Sequence, residues 1–141
     1  MSFLLDTVTL SEARRANLAD PRVMRWLDLH PESLLFVSAL SLGEIERGCA
    51  RIQDDVQRAE LEQWADTVRE RFAGRVLPVD EAVAKRWGRM FGELERAGRR
   101  PQLIDSLIAA TALVHDLTVV TRNVRDFDRC GAPTENPWET G

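Results

Sequence analysis

Four short apolar runs, separated by longer stretches of helical spacing, constrain this chain more than any other feature. They are Ser2-Phe3-Leu4-Leu5, Leu34-Leu35-Phe36-Val37, Arg75-Val76-Leu77-Pro78-Val79 and Leu117-Thr118-Val119-Val120-Thr121. A brief apolar run without polar alternation is the pattern of a strand covered on both faces, and strands separated by helices pair in parallel. Pro78 places the third run at a sheet edge or strand end, because proline donates no ladder hydrogen bond. Between the runs, Pro21 to Leu29 sets Val23, Trp26 and Leu27 on one helical face, with proline at an N-terminal position and His30-Pro31 as the stop. Ser38 to Arg51 carries Leu42, Ile45 and Cys49 at helical spacing, and Asp54 to Phe72 carries a stripe of Val56, Leu61, Trp64 and Val68 closed by Gly74. Asp80 is a fair cap for a helix over Glu81 to Ala97, which breaks at Gly98-Arg99-Arg100-Pro101. Residues 102 to 114 are almost wholly apolar or small and predict a helix buried on most sides. The order predicts a single α/β domain over residues 1-141 with a mostly parallel sheet, and leaves Gly131 to Gly141 loosely specified.

Composition narrows the partners. A formal charge of -4 argues against a surface that grips nucleic acid everywhere, but leaves room for a local basic face. Lys85 is the only lysine among 19 basic residues, so the positive charge is nearly all arginine, the better shape for bidentate phosphate contact. Cys49 and Cys130 are expected to be reduced thiols. No apolar run approaches membrane-spanning length, and the start at Met1 lacks a basic leader and apolar signal core, so the expected location is cytoplasmic, without membrane contact.

Four acidic positions carry the chemistry. Asp6 ends the first apolar run, Glu44 lies in Ser-Leu-Gly-Glu-Ile-Glu-Arg-Gly, Asp105 in Ile-Asp-Ser-Leu-Ile-Ala-Ala-Thr, and Asp126 in Thr-Arg-Asn-Val-Arg-Asp-Phe. Ligands of open parallel sheets collect beyond the carboxyl ends of the strands, where Asp6 and the Asn123/Asp126 group fall. If the first and fourth strands are neighbours, the four acidic or amide groups converge from distant segments. Unpaired carboxylates against apolar walls cost several kcal/mol, on the order of a whole interaction, unless a cation or hydrogen bonds compensate. An all-oxygen set suits Mg²⁺ or Mn²⁺, which keep waters and take a few carboxylates plus substrate phosphate oxygens. Such a site activates water against phosphorus without a serine triad or a histidine base. Plain alternatives stand beside this reading: Asp6 as a helix cap, Glu44 as a solvated helix residue, Asp105 as a first-turn acid favoured by the helix dipole, and Asn123 and Asp126 as a polar turn. His30 and His115 read as helix C-terminal residues. Trp26, Trp64, Trp87 and Trp138 read as core or interface anchors. Arg14, Arg15, Arg99, Arg100, Arg122 and Arg125 are surface residues within reach of phosphates.

Taken together, Leu-Leu-Asp-Thr, Ser-Ala-Leu-Ser-Leu-Gly-Glu-Ile-Glu-Arg-Gly, Asp-Ser-Leu-Ile-Ala-Ala-Thr-Ala and Val-Val-Thr-Arg-Asn-Val-Arg-Asp-Phe resemble, in order and spacing, the PIN-domain ribonucleases. The match is closest to VapC-type toxins of the FitB-like branch, which also tend to end near an Asn-Pro-Trp like Asn136-Pro137-Trp138. The resemblance implies a three-layer α/β/α fold and a Mg²⁺- or Mn²⁺-dependent endoribonuclease acting on RNA. It also implies restraint by a cognate VapB/FitA-like antitoxin, homodimers, and contact with DNA only through that antitoxin. Asp6, Glu44 and Asp105 carry over as the acidic core, with Asn123 or Asp126 as the fourth metal ligand. Two departures are Asn123, where FitB-like chains can have Asp, and Val8, where the family often has Asn. The alternative is a catalytically weak PIN-like module that binds RNA or protein. A phosphoacceptor receiver fits poorly, since Lys85 lies inside a helix, and no Gly-rich turn follows the first strand to cradle a dinucleotide.

Overall fold

Phe3, Leu4 and Leu5 form β1 (Phe3–Leu5), the middle strand of a five-stranded sheet, with every side chain buried. It pairs in parallel with β2 (Leu35–Ser38) on one side and β4 (Thr118–Val120) on the other, with Leu5 opposite both Val37 and Val120. The computed structural model describes residues 1–139; the last two positions of the expected domain, Thr140 and Gly141, lie outside the described residues. The strand order is β3-β2-β1-β4-β5, all pairs parallel, with β3 (Val76–Leu77) at one edge and ending just before Pro78.

The opposite edge corrects the sequence reading. Within the stretch expected to be loosely specified, β5 (Thr134–Glu135) adds to β4, held by Val119 N–H donating to the Pro133 carbonyl at 2.8 Å and Thr121 N–H to that of Glu135 at 3.0 Å. Two residues carry no periodicity, so this strand exists through its tertiary hydrogen bonds alone.

Alternation along the strands divides the core. Phe3, Leu5, Leu35, Val37 and Val120 face one cluster with Leu10, Trp26, Ile45, Cys49, Val68 and Phe72. That layer comprises α1 (Thr7–Glu12), α2 (Pro21–Leu29), α3 (Ala39–Arg51) and α4 (Asp55–Arg71). Leu4 and Val119 face the other way, toward Ile108, Ala109, Ala112 and Phe127, with Met90 and Leu94 at the margin. Here the layer is α5 (Glu81–Arg96), α6 (Leu103–His115) and α7 (Val124–Arg129). The result is the three-layer α/β/α arrangement. Each fully buried Leu, Ile or Phe stabilises it by about 1.5–3 kcal/mol.

Side-chain caps fix where the helices begin. Ser38 Oγ accepts from Leu40 N–H at 3.0 Å, Asp54 from Gln57 N–H at 3.1 Å and Asp80 from Val83 N–H at 3.0 Å, each contributing about 1 kcal/mol. Gly74, at φ 82°, supplies the left-handed turn after α4. Between α1 and α2 the chain turns through Ala16 at φ 53°, and buried Glu12 braces the turn by accepting Asp20 N–H at 2.9 Å. Among the described residues no helix is long and apolar enough to cross a membrane.

Candidate active site

Asp6 follows β1 directly, and its position is fixed twice over. Its backbone N–H donates to the Val120 carbonyl at 3.1 Å, continuing the β1–β4 ladder, while its side chain caps α1. Oδ1 accepts Thr9 N–H at 2.9 Å and Oδ2 accepts the Thr121 hydroxyl at 2.6 Å. Thr121 Oγ1 in turn accepts Asn123 N–H at 2.8 Å, so one chain of hydrogen bonds ties Asp6 to the turn that opens α7. Asp6 is 5% exposed; burial pushes its carboxyl above the ordinary value, the Thr121 and Thr9 bonds pull it back, and the Glu44 charge raises it slightly further.

Asp105 sits in the first turn of α6, brought to the same end of the sheet because α6 runs antiparallel to the strand it precedes, β4. The Asn123 side-chain amide bridges two acids, donating to Asp105 Oδ2 at 3.2 Å and to Asp126 Oδ2 at 2.6 Å. Asp105 makes no capping bond, and the N-cap position of α6 is Gln102. Its carboxyl is raised by burial first and by the Asp6 charge next. The Asn123 bond lowers it, and the charges of Asp126 and Glu44 raise it again. All three other acids therefore act on Asp105 through space.

Glu44 lies at the sixth position of α3, whose start Ser38 fixes at the carboxyl end of β2. Thr7 Oγ1 donates to Glu44 Oε1 at 2.6 Å and is also bonded to Ser41 Oγ at 2.8 Å, so α1 aims the α3 carboxylate. The structure thus brings Asp6, Glu44, Asp105, Asn123 and Asp126 to one end of the sheet, at the seam between β1 and β4. Sequence reasoning missed Thr7, Ser41 and Thr121. All three stood inside the quoted motifs, but only the fold reveals which partner each hydroxyl holds.

The other residues singled out in the sequence have ordinary places. His30 Nδ1 is 2.7 Å from the Trp26 carbonyl and its ring stacks on Trp26 at 3.9 Å, while His115 ends α6. Trp26 and Trp138 are buried, and Trp87 Nε1–H donates to Ser106 Oγ at 2.9 Å. Trp64 is partly buried against the core. Arg15 pairs with Glu12 at 3.1 Å, and Arg100 lies over the Phe91 ring at 5.7 Å. Arg14 shares a pocket of about 480 Å³ with Thr7 and Glu44. Arg99, Arg122 and Arg125 line a groove of about 980 Å³ beside Asn123 and Asp126.

Among the described residues, no ion pair involves Asp6, Glu44, Asp105 or Asp126. Nor do three acidic, histidine or cysteine side chains already lie at ligand spacing. The acids form an open ring rather than a closed cage. That geometry does not suit a tetrahedral zinc site, which needs close Cys or His donors. Its donor chemistry fits a hydrated hard cation that touches one or two carboxylates and keeps its waters.

The structure is thus an α/β/α domain that gathers acidic side chains at the carboxyl ends of its central strands. A family model described as PIN domain matches residues 3–132. Toxin FitB of Neisseria gonorrhoeae is 34% identical over 136 residues, covering 96% of this chain and 97% of the relative. VapC ribonuclease Y4jK of Sinorhizobium fredii is 31% identical over 137 residues, 96% of this chain and 97% of its own. A solved structure of FitAB bound to an IR36 DNA fragment superposes with a TM-score of 0.90 at 31% identity, covering 99% of this chain and 97% of that one. The chain belongs to the PIN-domain family.

Proposed function

We propose that this chain is a Mg²⁺- or Mn²⁺-dependent endoribonuclease, the toxin of a VapBC-type toxin–antitoxin pair, which hydrolyses RNA phosphodiester bonds. The observation that carries the reading is the gathering of Asp6, Glu44, Asp105 and Asp126 at one end of the sheet, where the Asn123 amide bridges Asp105 and Asp126 and, among the described residues, no cationic side chain pairs with any of the four. The printed names of the relatives, a VapC ribonuclease and a FitB toxin, supply the substrate class and the biological setting. A bound divalent cation supplies activation of water and stabilisation of the leaving oxygen. Asp6, Asp105 and Asp126 would hold the cation, and Glu44, aimed by Thr7, would orient the attacking water. Asn123, now donating to two acids, contributes its amide oxygen only if the side chain turns over. Without the cation the acids repel a phosphate backbone, so loading controls binding as well as cutting.

The partners belong to the same proposal. A FitA-like antitoxin and a second copy of this chain are the expected protein partners, in keeping with the FitAB complex it resembles and with exposed Leu18, Leu29 and Val56. DNA contact runs through the antitoxin. The test is incubation of antitoxin-free protein with structured RNAs in Mg²⁺, Mn²⁺ or EDTA, beside an Asp105→Asn variant of equal purity. Metal-dependent cuts absent from the variant support the reading. Cuts that survive in EDTA or in the variant refute it.

A further inference from the structure

Arg122 occupies a place that the acid site alone does not explain. It lines the large groove beside α7, and it is also the basic side chain lining the pocket of about 300 Å³ into which Asp6 opens, together with Val8 and Asn123. Its guanidinium carbon sits 5.5 Å from the centre of the Trp138 ring. Trp138 is itself 5% exposed, and its turn is pinned by its own N–H donating to Asn136 Oδ1 at 3.0 Å. Behind that turn, Thr121 N–H bonds the Glu135 carbonyl, so the residue before Arg122 and the strand that carries Trp138 toward it are one ladder. An exposed arginine normally samples many rotamers. Stacking on a fixed aromatic face restrains this one, in the groove it lines together with Asn123 and Asp126.

The guanidinium is also unclaimed by a carboxylate. Among the described residues Arg122 forms no ion pair, and Asp20, whose acidity it strengthens slightly, is already held by Arg22 at 2.8 Å. A positive planar group beside a ring of carboxylates attracts a substrate phosphate that the ring alone would repel, and its fork matches phosphate oxygens.

We propose that Arg122, positioned by Trp138, holds an RNA phosphate next to the scissile bond, and that the Asn-Pro-Trp turn serves to keep that guanidinium over the site. Arg122 touches the substrate; Trp138 acts through it and is a positioning residue. The proposal rests on the ribonuclease reading above; Arg99, Arg125 and Arg129 line the same groove, interleaved with Asp126, Asp128 and Glu139.

The experiment uses the full chain in Mg²⁺ with a 5′-labelled single-stranded oligoribonucleotide, comparing wild type, Arg122→Ala, Arg122→Lys and Trp138→Leu. Arg122→Ala is expected to raise KM about tenfold with a smaller effect on kcat. In a non-cutting Asp105→Asn background, it should lower the slope of log affinity against log salt by about 0.7. Arg122→Lys keeps the slope but recovers only part of the affinity, and Trp138→Leu falls between wild type and Arg122→Ala. Thermal melts of each variant separate these effects from unfolding. Unchanged KM and salt slope in a folded Arg122→Ala protein overturn the proposal while wild-type cutting leaves the ribonuclease reading intact. Failure of wild type to bind or cut RNA overturns both.

Discussion

Asp6→Asn and Asp105→Asn each remove one carboxylate charge, yet the two changes should move stability in opposite directions. Both Asp6 oxygens are used as acceptors, by Thr9 N–H and by the Thr121 hydroxyl, whose own oxygen already accepts Asn123 N–H. An asparagine has one acceptor oxygen, and its NH₂ would face a donor. Either the α1 cap is lost, or the Thr121 hydroxyl turns to accept from the new NH₂ and its own proton loses its present acceptor in a buried place. An unmet buried donor costs about 1–3 kcal/mol. Relief from burying a charge, visible in the raised Asp6 carboxyl, offsets part of this and leaves a net loss of about 1–2 kcal/mol. For a domain of this size that lowers Tm by about 3–6 °C. Asp105 is different. Asn123 donates to one of its oxygens at 3.2 Å, a bond an amide oxygen can keep, while three like charges push against it. Asp105→Asn should melt at or above the wild-type temperature. Circular dichroism melts at neutral pH in EDTA, repeated with Mg²⁺, measure this. Mg²⁺ should raise the wild-type Tm and leave Asp105→Asn nearly unmoved. Equal losses in the two variants, or a larger loss in Asp105→Asn, would refute the reasoning from hydrogen bonds and charge crowding.

The pH dependence of the metal-free protein has two opposed parts. The raised Asp105 carboxyl contributes stability that is fully present below its ordinary value of 3.8 and is lost as pH rises through the folded value, so the advantage of Asp105→Asn should grow toward neutrality. Glu12 is lowered, first by the Asp20 N–H and also by Arg15. Its contribution is present above 4.5 and lost as pH falls through the folded value, so wild type and Glu12→Gln should converge in acid. Melts of all three proteins in EDTA from about pH 3 to about pH 7 test both signs. Thr7→Val removes the hydroxyl that aims Glu44 and should lower kcat about tenfold with little change in Tm, read by steady-state cleavage and a melt. Ala16→Gly should stabilise the protein by about 1 kcal/mol, because φ 53° with ψ -119° favours glycine; urea unfolding measures it.

Long elements were legible in the sequence because they repeat. The helices over 21–29, 39–51, 55–71, 81–96 and 103–115 carry apolar or small-residue stripes, one of them with the cap read at Asp80, and the strands at 35 and 118 lie in short apolar-rich runs. Of the short elements, α1 was legible only as the helix that Asp6 could cap, and α7 and β5 were not, since six or two residues show no period and β5 is held by bonds from β4 such as Val119 N–H to Pro133. Within the site the acids announce themselves by lying where charge is expensive. Asp6 also shows that cap and site member were never exclusive readings, for the same carboxylate caps α1 and faces Asp105. Thr7, Thr121 and the stacking of Arg122 on Trp138 were illegible because a hydroxyl or a guanidinium gains its role only from the partner the fold sets beside it.

The most direct test of the account is the fate of solvent oxygen during cutting. RNA cleaved by the wild-type protein with Mg²⁺ in ¹⁸O-enriched water should give a phosphate monoester end carrying one solvent oxygen, with no product in EDTA. A 2′,3′-cyclic phosphate end without solvent oxygen, or cutting that persists in EDTA, would contradict a metal-loaded acid ring that directs water at phosphorus.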